Sequence, residues 1–415
     1  MNHCLPEWNR DRLKDRVRFA YGDSLAAEDR NEGEIKVFGS NGIVGNHDRA
    51  ITNGRTIIIG RKGSFGKVTW CDEPCFPIDT TFFVDSTQTK EELRWVFYAL
   101  ESLQLDTVNF DSAVPGLSRE MAYSLPLAFP PTPEQRSIAA YLDASCAAID
   151  VAVSAKRRQL ETLDELRNSI ISSAVTHGLN PQAKMKSSGL DWLSDVPAHW
   201  QVQQIKRACS LVRGQFTHRP RNDPALYDGP YPFVQTGDIT AAGKYIRTYS
   251  QTLNELGLSV SKRFPRGTLV MSIAANIGDV AILDFEACFP DSMIGMIPDH
   301  KTNLDFLYYL MRAMRGIMLR SAVQSTQLNL NYVRIGTNFA PFPPPKEQSA
   351  IAEYLDAKER ESLSISKSIE TQIDTLTAYR KSLIHECVTG QRRITESDLQ
   401  RAAGQCRFDN PGPKG

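Results

Sequence analysis

Several things are scarce in this 415-residue chain, and each scarcity removes a class of protein. Its eight cysteines are scattered without disulfide-like spacing, no cleavable leader is recognisable, and no apolar run of membrane length is expected. A reducing cytoplasm is the natural compartment. Net charge is missing too: 48 basic and 48 acidic side chains cancel, which argues against gripping nucleic acid by bulk positive charge alone. Counted by region the balance is uneven. Residues 1–130 carry 15 basic and 19 acidic groups, and residues 181–340 carry 17 and 12, so a large anionic ligand needs local patches or a basic partner.

Metal and phosphate sites are also lacking. Cys71 and Cys75 have no second ligand pair and His47 is an isolated loop residue, which argues against a zinc site. The run from Gly60 to Lys67 invites comparison with a phosphate-binding loop. It fails, because Gly60 stands one residue too far from Gly66 and Val68 occupies the position of the metal-binding hydroxyl.

What is present is a repeat. Residues 129–176 return as residues 342–389 without a gap, 213 positions on. Phe129, Pro130, Pro131, Glu134, Gln135, Ile138, Ala139, Tyr141, Leu142 and Asp143 match Phe342, Pro343, Pro344, Glu347, Gln348, Ile351, Ala352, Tyr354, Leu355 and Asp356. Upstream the match is weaker: Trp8, Lys14 and Gly22 align with Trp200, Lys206 and Gly214 at an offset of 192. Cys75-Phe76-Pro77 returns as Cys288-Phe289-Pro290, and Ser112 and Leu117 fall on Ser325 and Leu330. The drift from 192 to 213 means that about twenty residues of loop separate the copies. The chain is two half-molecules.

Each repeated segment reads as a long helix. Both begin at proline-rich runs and contain neither proline nor glycine until Gly178 and Gly390, so each could reach roughly 60 Å, with breaks considered near residues 145 and 358. Leu163, Leu166 and Ile170 in the first, and Ile365, Ile369, Leu376, Tyr379 and Leu383 in the second, recur at a heptad-like period and predict an antiparallel seam. Elsewhere, short strand-like runs at Ile35–Phe38, Thr56–Ile59, Val68–Trp70, Thr81–Val84, Tyr231–Val234, Thr268–Met271 and Val280–Leu283 accompany predicted helices at Glu91–Ser102 and Leu304–Met318. The expected fold class is α/β (α+β): two similar mixed, β-rich domains at 1–130 and 181–341, two long helices at 131–180 and 342–392 pairing as an antiparallel coiled coil, and a polar, disordered tail at 393–415.

The Pro-Pro-x-x-Glu-Gln-x-x-Ile-Ala-x-Tyr-Leu-Asp runs at 130–143 and 343–356, the helix endings from Arg167 and Arg380, and the segment Gly189 to Trp200 resemble the specificity subunit of type I restriction-modification systems. The resemblance implies a non-catalytic subunit whose two target-recognition domains each read half of a split site in double-stranded DNA. The helices would then act as a ruler. It also implies two methyltransferase subunits carrying S-adenosylmethionine, and motor-nuclease subunits using ATP and Mg, with no cofactor in this chain and no membrane. The complex would methylate adenine and cleave DNA. An Asn/Asp-Pro-Pro-aromatic tetrad is lacking, which disfavours the alternative of a degenerate fused methyltransferase. A scaffold that binds no DNA is the other alternative, and it has no need of two diverged domains.

Candidate DNA contacts follow from residue type. Arg61, Lys62 and Ser64 stand in a glycine-rich loop that backbone can approach closely, and Ser272 and Asn276 occupy its counterpart. Ser40 and Asn41, with Gln235 and Thr236 as rough equivalents, can read adenine, while His218, Arg219, Arg221, Lys262, Arg263 and Arg266 form basic turns suited to phosphates. Gln135, Tyr141, Gln348 and Tyr354, taken as exposed near the two helix starts, are candidate contacts to the methyltransferase subunits.

Overall fold

The computed structural model describes residues 8–107, 116–274, 276–321 and 332–408. Ser112, Ser325 and Leu330 of the repeat lie outside them. The chain divides into two compact units, Met1–Arg158 with Ile369–Gly415, and Gln159–Ser368. Both long helices are continuous, Thr132–His177 and Pro345–Val388. With no proline or glycine beyond the first turn of either, neither of the breaks considered occurs.

In unit 1, strand Asn9–Arg12 pairs antiparallel with Pro126–Phe129 and so brings the two ends of the globular region to the start of the first long helix. A four-stranded sheet runs Ala20–Tyr21, Thr81–Val84, Thr56–Gly60, Val68–Cys71 in spatial order. Alternate residues leave its two faces. Ile57, Ile59, Phe82 and Val84 join Trp95, Val96 and Leu100 of helix Leu93–Ser102 in the main core, while Ile58 meets Phe38, Cys71 and Cys75 on the other side.

Unit 2 repeats this plan. Gln201–Gln204 pairs with Phe339–Phe342, and a five-stranded sheet runs Cys209–Arg213, Met293–Pro298, Leu269–Ser272, Val280–Leu283, Tyr245–Ile246. Gly22 and Gly214 show why the upstream repeat persists. A Cβ would meet the Ile78 carbonyl oxygen at 2.1 Å in the first and that of Pro290 at 2.2 Å in the second, so both pack against the repeated Cys-Phe-Pro strand where no side chain fits. The predicted helix from Leu304 is interrupted at Met314, just before Gly316, giving Leu304–Ala313 and Arg315–Ser321. Residues 189–200 include most of a hairpin, Met185–Leu190 with Leu193–Pro197.

The length difference has one main location. Strands Ile35–Gly39 and Gly42–His47 are joined by the tight turn Ser40-Asn41, whereas Tyr227–Phe233 and Gln251–Leu253 are separated by helix Thr236–Ala241 and strand Tyr245–Ile246. That extra strand lies parallel to Val280–Leu283 and widens the second sheet.

The helix pairing is antiparallel within each unit. In unit 2, Gly178 lies beside Glu347, and Leu163 lines a groove with Ser362 and Ile365. In unit 1, Arg380 reaches Asp150 at 3.3 Å and Arg392 lies 5.1 Å from the Tyr141 ring centroid. The predicted seam needs correction in detail. Ile369 and Leu383 are buried, Leu163, Ile170 and Leu376 partly so, but Leu166 and Tyr379 are 54% and 50% exposed, and Ile365 is also exposed. A strict heptad drifts around a helix of 3.6 residues per turn, and much of what each helix buries faces a globular region instead. Thus Leu383, Ile384, Cys387 and Val388 enter a core of unit 1 that holds Trp95, Leu100 and Phe129 of the globular region as well as Ile138, Leu142, Cys146 and Ile149 of the other helix. In unit 2, Ile171, Ala174 and Val175 pack with Ile351, Ala352 and Leu355.

Two further expectations change. Residues 396–408 are not a disordered tail but the helix Glu396–Phe408, with Ala402 buried and Leu399 packed on the core of unit 1. Its start is a capping box: Thr395 N donates to Asp398 Oδ2 at 3.0 Å and Asp398 N to Thr395 Oγ1 at 3.3 Å. The first long helix also contains an 18-residue stretch apolar enough by length and composition to cross a membrane, contrary to the reading of its sequence. Ile138, Leu142, Cys146 and Ile149 of that helix are buried in the protein core.

The seam gives a test. Leu383→Ala is expected to cost about 3 kcal/mol through lost burial and the cavity left behind, and Leu166→Ala less than about 0.5 kcal/mol. Urea unfolding of the full chain measures both, and equal losses would return Leu166 to a buried seam.

Candidate nucleic-acid interface

In unit 1 the structure gathers the predicted loops around one backbone carbonyl. Ser40 Oγ donates to the Thr80 oxygen at 2.6 Å, and the amides of Arg61 and Lys62 donate to the same oxygen at 2.9 and 3.2 Å. The loop beyond them is closed by Gly66 N donating to Gly60 O and Gly60 N to Lys67 O. Gly66 has φ +77°, and a Cβ there would lie 2.1 Å from Asp106 N, so the turn requires glycine. Lys62, Ser64 and Asn41 are exposed. The guanidinium of Arg61 lies 5.2 Å from the Tyr21 ring centroid, and that of Arg119 lies 4.9 Å from it. Lys67 Nζ donates to the Asn41 carbonyl oxygen at 2.7 Å. Sequence reading missed Tyr21 and Arg119 because the strand and helix that carry them are distant in the chain, and it passed over Lys67 at the end of the loop itself.

The same turn recurs in unit 2: Gly278 N donates to Ser272 O and Ser272 N to Asp279 O, with Gly278 at φ +83°. Ser272 is fully buried and its hydroxyl donates to the Ala274 oxygen at 2.6 Å, so it organises the loop from inside and is unavailable to a ligand. Asn276 is exposed and donates to Thr240 Oγ1 at 2.9 Å, and Thr240 in turn donates to Asp279 Oδ2 at 2.9 Å. The extra segment therefore touches this loop. Gln235 N donates to Asp238 Oδ2 at 2.7 Å, and its carboxamide reaches Gln251 at 2.9 Å. Thr236, partly buried, opens the short helix, so the likeness of this segment to the Ser40-Asn41 turn does not extend to conformation.

The basic turns carry counter-charges. Arg221 pairs with Asp291 at 2.5 Å, Arg219 approaches the same carboxylate at 3.9 Å, and His218 pairs with Asp223 at 3.1 Å. Arg263 pairs with Glu286 at 3.1 Å and lies over the Tyr231 ring, and Arg266 pairs with Asp284 at 2.7 Å. Lys262 is exposed. Such surface pairs contribute little stability and are open to exchange of the carboxylate for another anion.

Three of the four helix-start residues are not exposed. Gln135 is fully buried: its Oε1 accepts from Glu92 N at 2.8 Å, and its Nε2 donates to Pro130 O at 2.9 Å and Glu91 Oε2 at 2.5 Å. Gln348 repeats this, accepting from Asn303 N at 2.8 Å and donating to Pro343 O at 2.9 Å. Tyr141 is buried under Arg392, and Tyr354 alone is exposed. The repeated glutamines serve the joint between helix and globular region. The Asp of the motif does so too. Tyr98 donates to Asp143 at 2.7 Å and Tyr309 to Asp356 at 2.6 Å. Burial first, then the carboxylate contact, holds both phenols well above their ordinary pKa, so they remain donors.

Among the described residues no group of three or more His, Cys, Asp or Glu could hold a metal. His47 ends a strand, not a loop, and accepts from Asn31 N at 3.1 Å; the Cys75 thiol is pushed up to about 12 by burial. Gln135→Leu should cost about 1–3 kcal/mol by orphaning the buried groups it satisfies, read by urea unfolding. A neutral outcome would show that the amide is not the joint.

A duplicated β-rich module, bonded in both copies to a long helix by the same Gln and Asp, defines a tandem-repeat protein with two loop faces of different chemistry. The type I restriction modification DNA specificity domain matches residues 6–162 and 197–375, and the chain belongs to that family. It is 20% identical over 360 residues to the type I restriction enzyme EcoBI specificity subunit of Escherichia coli, covering 83% of this chain and 76% of that one. To the putative type I restriction enzyme MjaX specificity subunit of Methanocaldococcus jannaschii it is 24% identical over 282 residues, 65% of this chain and 60% of the relative. A solved chain described under "Structural basis underlying complex assembly and conformational transition of the type I R-M system" shares its fold, with a TM-score of 0.70 and 14% identity, over 93% of this chain and 99% of that one.

Proposed function

We propose that this specificity subunit reads a split double-stranded DNA site, one half with each globular region, and that the long helices set the gap while holding two methyltransferase subunits. Family membership and the recurrence of one loop fold at Gly60–Lys67 and Ser272–Asp279 carry this reading. A shared backbone turn with different side chains suits two modules that dock alike and read differently. In the first, Arg61, Lys62, Ser64 and Asn41 offer donors to base edges and phosphates. In the second, Asn276, Gln235 and Thr236 offer amide and hydroxyl groups, His218, Arg219, Arg221, Arg263 and Arg266 exchange their carboxylates for phosphates, and the exposed Lys262 adds a further cation.

The subunit performs no chemistry in this reading. The methyltransferase partners bring S-adenosylmethionine, motor-nuclease subunits bring ATP and Mg, and the assembly works in the cytoplasm. Support for partner binding comes from apolar side chains left exposed on both long helices, Val151, Leu166, Leu363, Ile365 and Tyr379, together with Tyr354.

Sequencing of modified DNA in cells that carry the methyltransferase subunit, with and without this chain, tests the reading. A motif of two short blocks around a fixed gap should vanish with the chain, and a continuous motif, or methylation independent of the chain, would refute it. Lys62→Ala should weaken binding about equally across DNA sequences and lower the salt slope of log K by about 1. A change confined to one base position would make Lys62 a base reader instead.

A further inference from the structure

The joint between module and helix is wired differently in the two copies. In unit 1, Arg94, the second residue of helix Leu93–Ser102, reaches Asp143 at 2.6 Å beside Tyr98. In unit 2 the second residue of helix Leu304–Ala313 is Asp305. Two carboxylates, Asp305 and Asp356, therefore meet where the first copy has an ion pair. The missing cation comes from elsewhere: Lys244 Nζ lies 2.7 Å from Asp305 Oδ1 and 2.5 Å from Asp356 Oδ1, with its side chain only 12% exposed. The Tyr309 ring centroid is 5.0 Å away and that of Tyr308 5.7 Å. The neighbouring Tyr245 donates to Asp305 Oδ1 at 2.9 Å.

Lys244 belongs to the segment between Phe233 and Gln251 that the first copy replaces by a tight turn. Upstream of Lys244 that segment carries Gln235 and Thr236, and Thr240 bonded to Asn276 and Asp279 of the loop. The middle of the insertion is thus fixed to the second long helix, and its N-terminal part stands at the candidate reading face. We propose that Lys244 is a positioning residue for specificity: by bridging Asp305 and Asp356 it anchors the insertion to the helix and sets where Gln235, Thr236 and Asn276 meet the second half-site. The proposal rests on the split-site reading above. Without the ammonium, two partly buried carboxylates face each other unneutralised, and the insertion loses its one ionic tie to the helix among the described residues.

Two roles must be separated, since Lys244→Met could simply loosen the joint. Lys244→Met combined with Asp305→Arg restores the first copy's wiring, an arginine on the second helix residue facing Asp356, while the insertion keeps its strand pairing and the Thr240 bonds but loses its side-chain ties to Asp305 and Asp356. Hydrogen exchange on the full chain should then show residues 236–246 exchanging at least about tenfold faster in both variants, with Leu304–Ala313 and residues 345–360 staying protected in the double variant. In cells with the methyltransferase subunit, the double variant should keep one half of the motif and the gap, and accept additional bases in the other half. Unchanged exchange at 236–246 in the double variant overturns the anchor. Faster exchange with an undiminished motif overturns its role in specificity. A wild-type chain that yields no split motif would refute the split-site reading, and exchange alone would then decide the anchor.

Discussion

The side-chain amide of Gln135, and of Gln348 in the second copy, satisfies two backbone groups that would otherwise be orphaned where sheet, short helix and long helix converge. It accepts from the N–H at the start of the module's helix and donates to the carbonyl of a proline just before the long helix. An unpaired buried polar group costs more than a made bond gains, so this geometry tolerates little movement. Asp143 and Asp356, two turns further along each helix, add the tyrosine bond. Everything else about the modules hangs from helices held at these points.

With the joint fixed, the surfaces were free to diverge. The first copy closes one hairpin with Ser40-Asn41 and places Arg61 and Lys62 in its loop. The second extends that hairpin by a helix and a strand, buries Ser272 where the first has Gly60, and neutralises its arginines with Asp284, Glu286 and Asp291. The net acidity of one region and the net basicity of the other therefore overstate the difference in free cationic groups. The extra segment comes with a rewired joint, in which Lys244 meets the helix carboxylate that Arg94 meets in the first copy.

The repeat, both long helices, most strands and their glycine ends were legible because each rests on local physics: proline-free helical runs, alternation along strands, and glycine where a chain crossing leaves no room for Cβ. The seam was legible only in part. Leu163 and Leu383 do face inward, but Leu166 and Tyr379 keep the right spacing and point to solvent, since a period of 3.5 cannot say which neighbour a helix buries its stripe against. The tail was misread because its glycine and proline dominated the composition, while the Thr395-x-x-Asp398 box that starts its helix is a signal of two residues.

Sequence alone determined that two equivalent modules are mounted on two equivalent helices, because a long ungapped repeat demands equivalent structure. It also marked Gln135, Gln348, Asp143 and Asp356 as special, without saying how. Tertiary structure decided that these residues face inward to the modules, since exposure depends on what packs against a helix and not on residue type. It also decided that Lys244 completes a site whose carboxylates lie 61 and 112 residues further along the chain. Pairings at such separations are set by how sheets and helices close on one another, which no local pattern encodes.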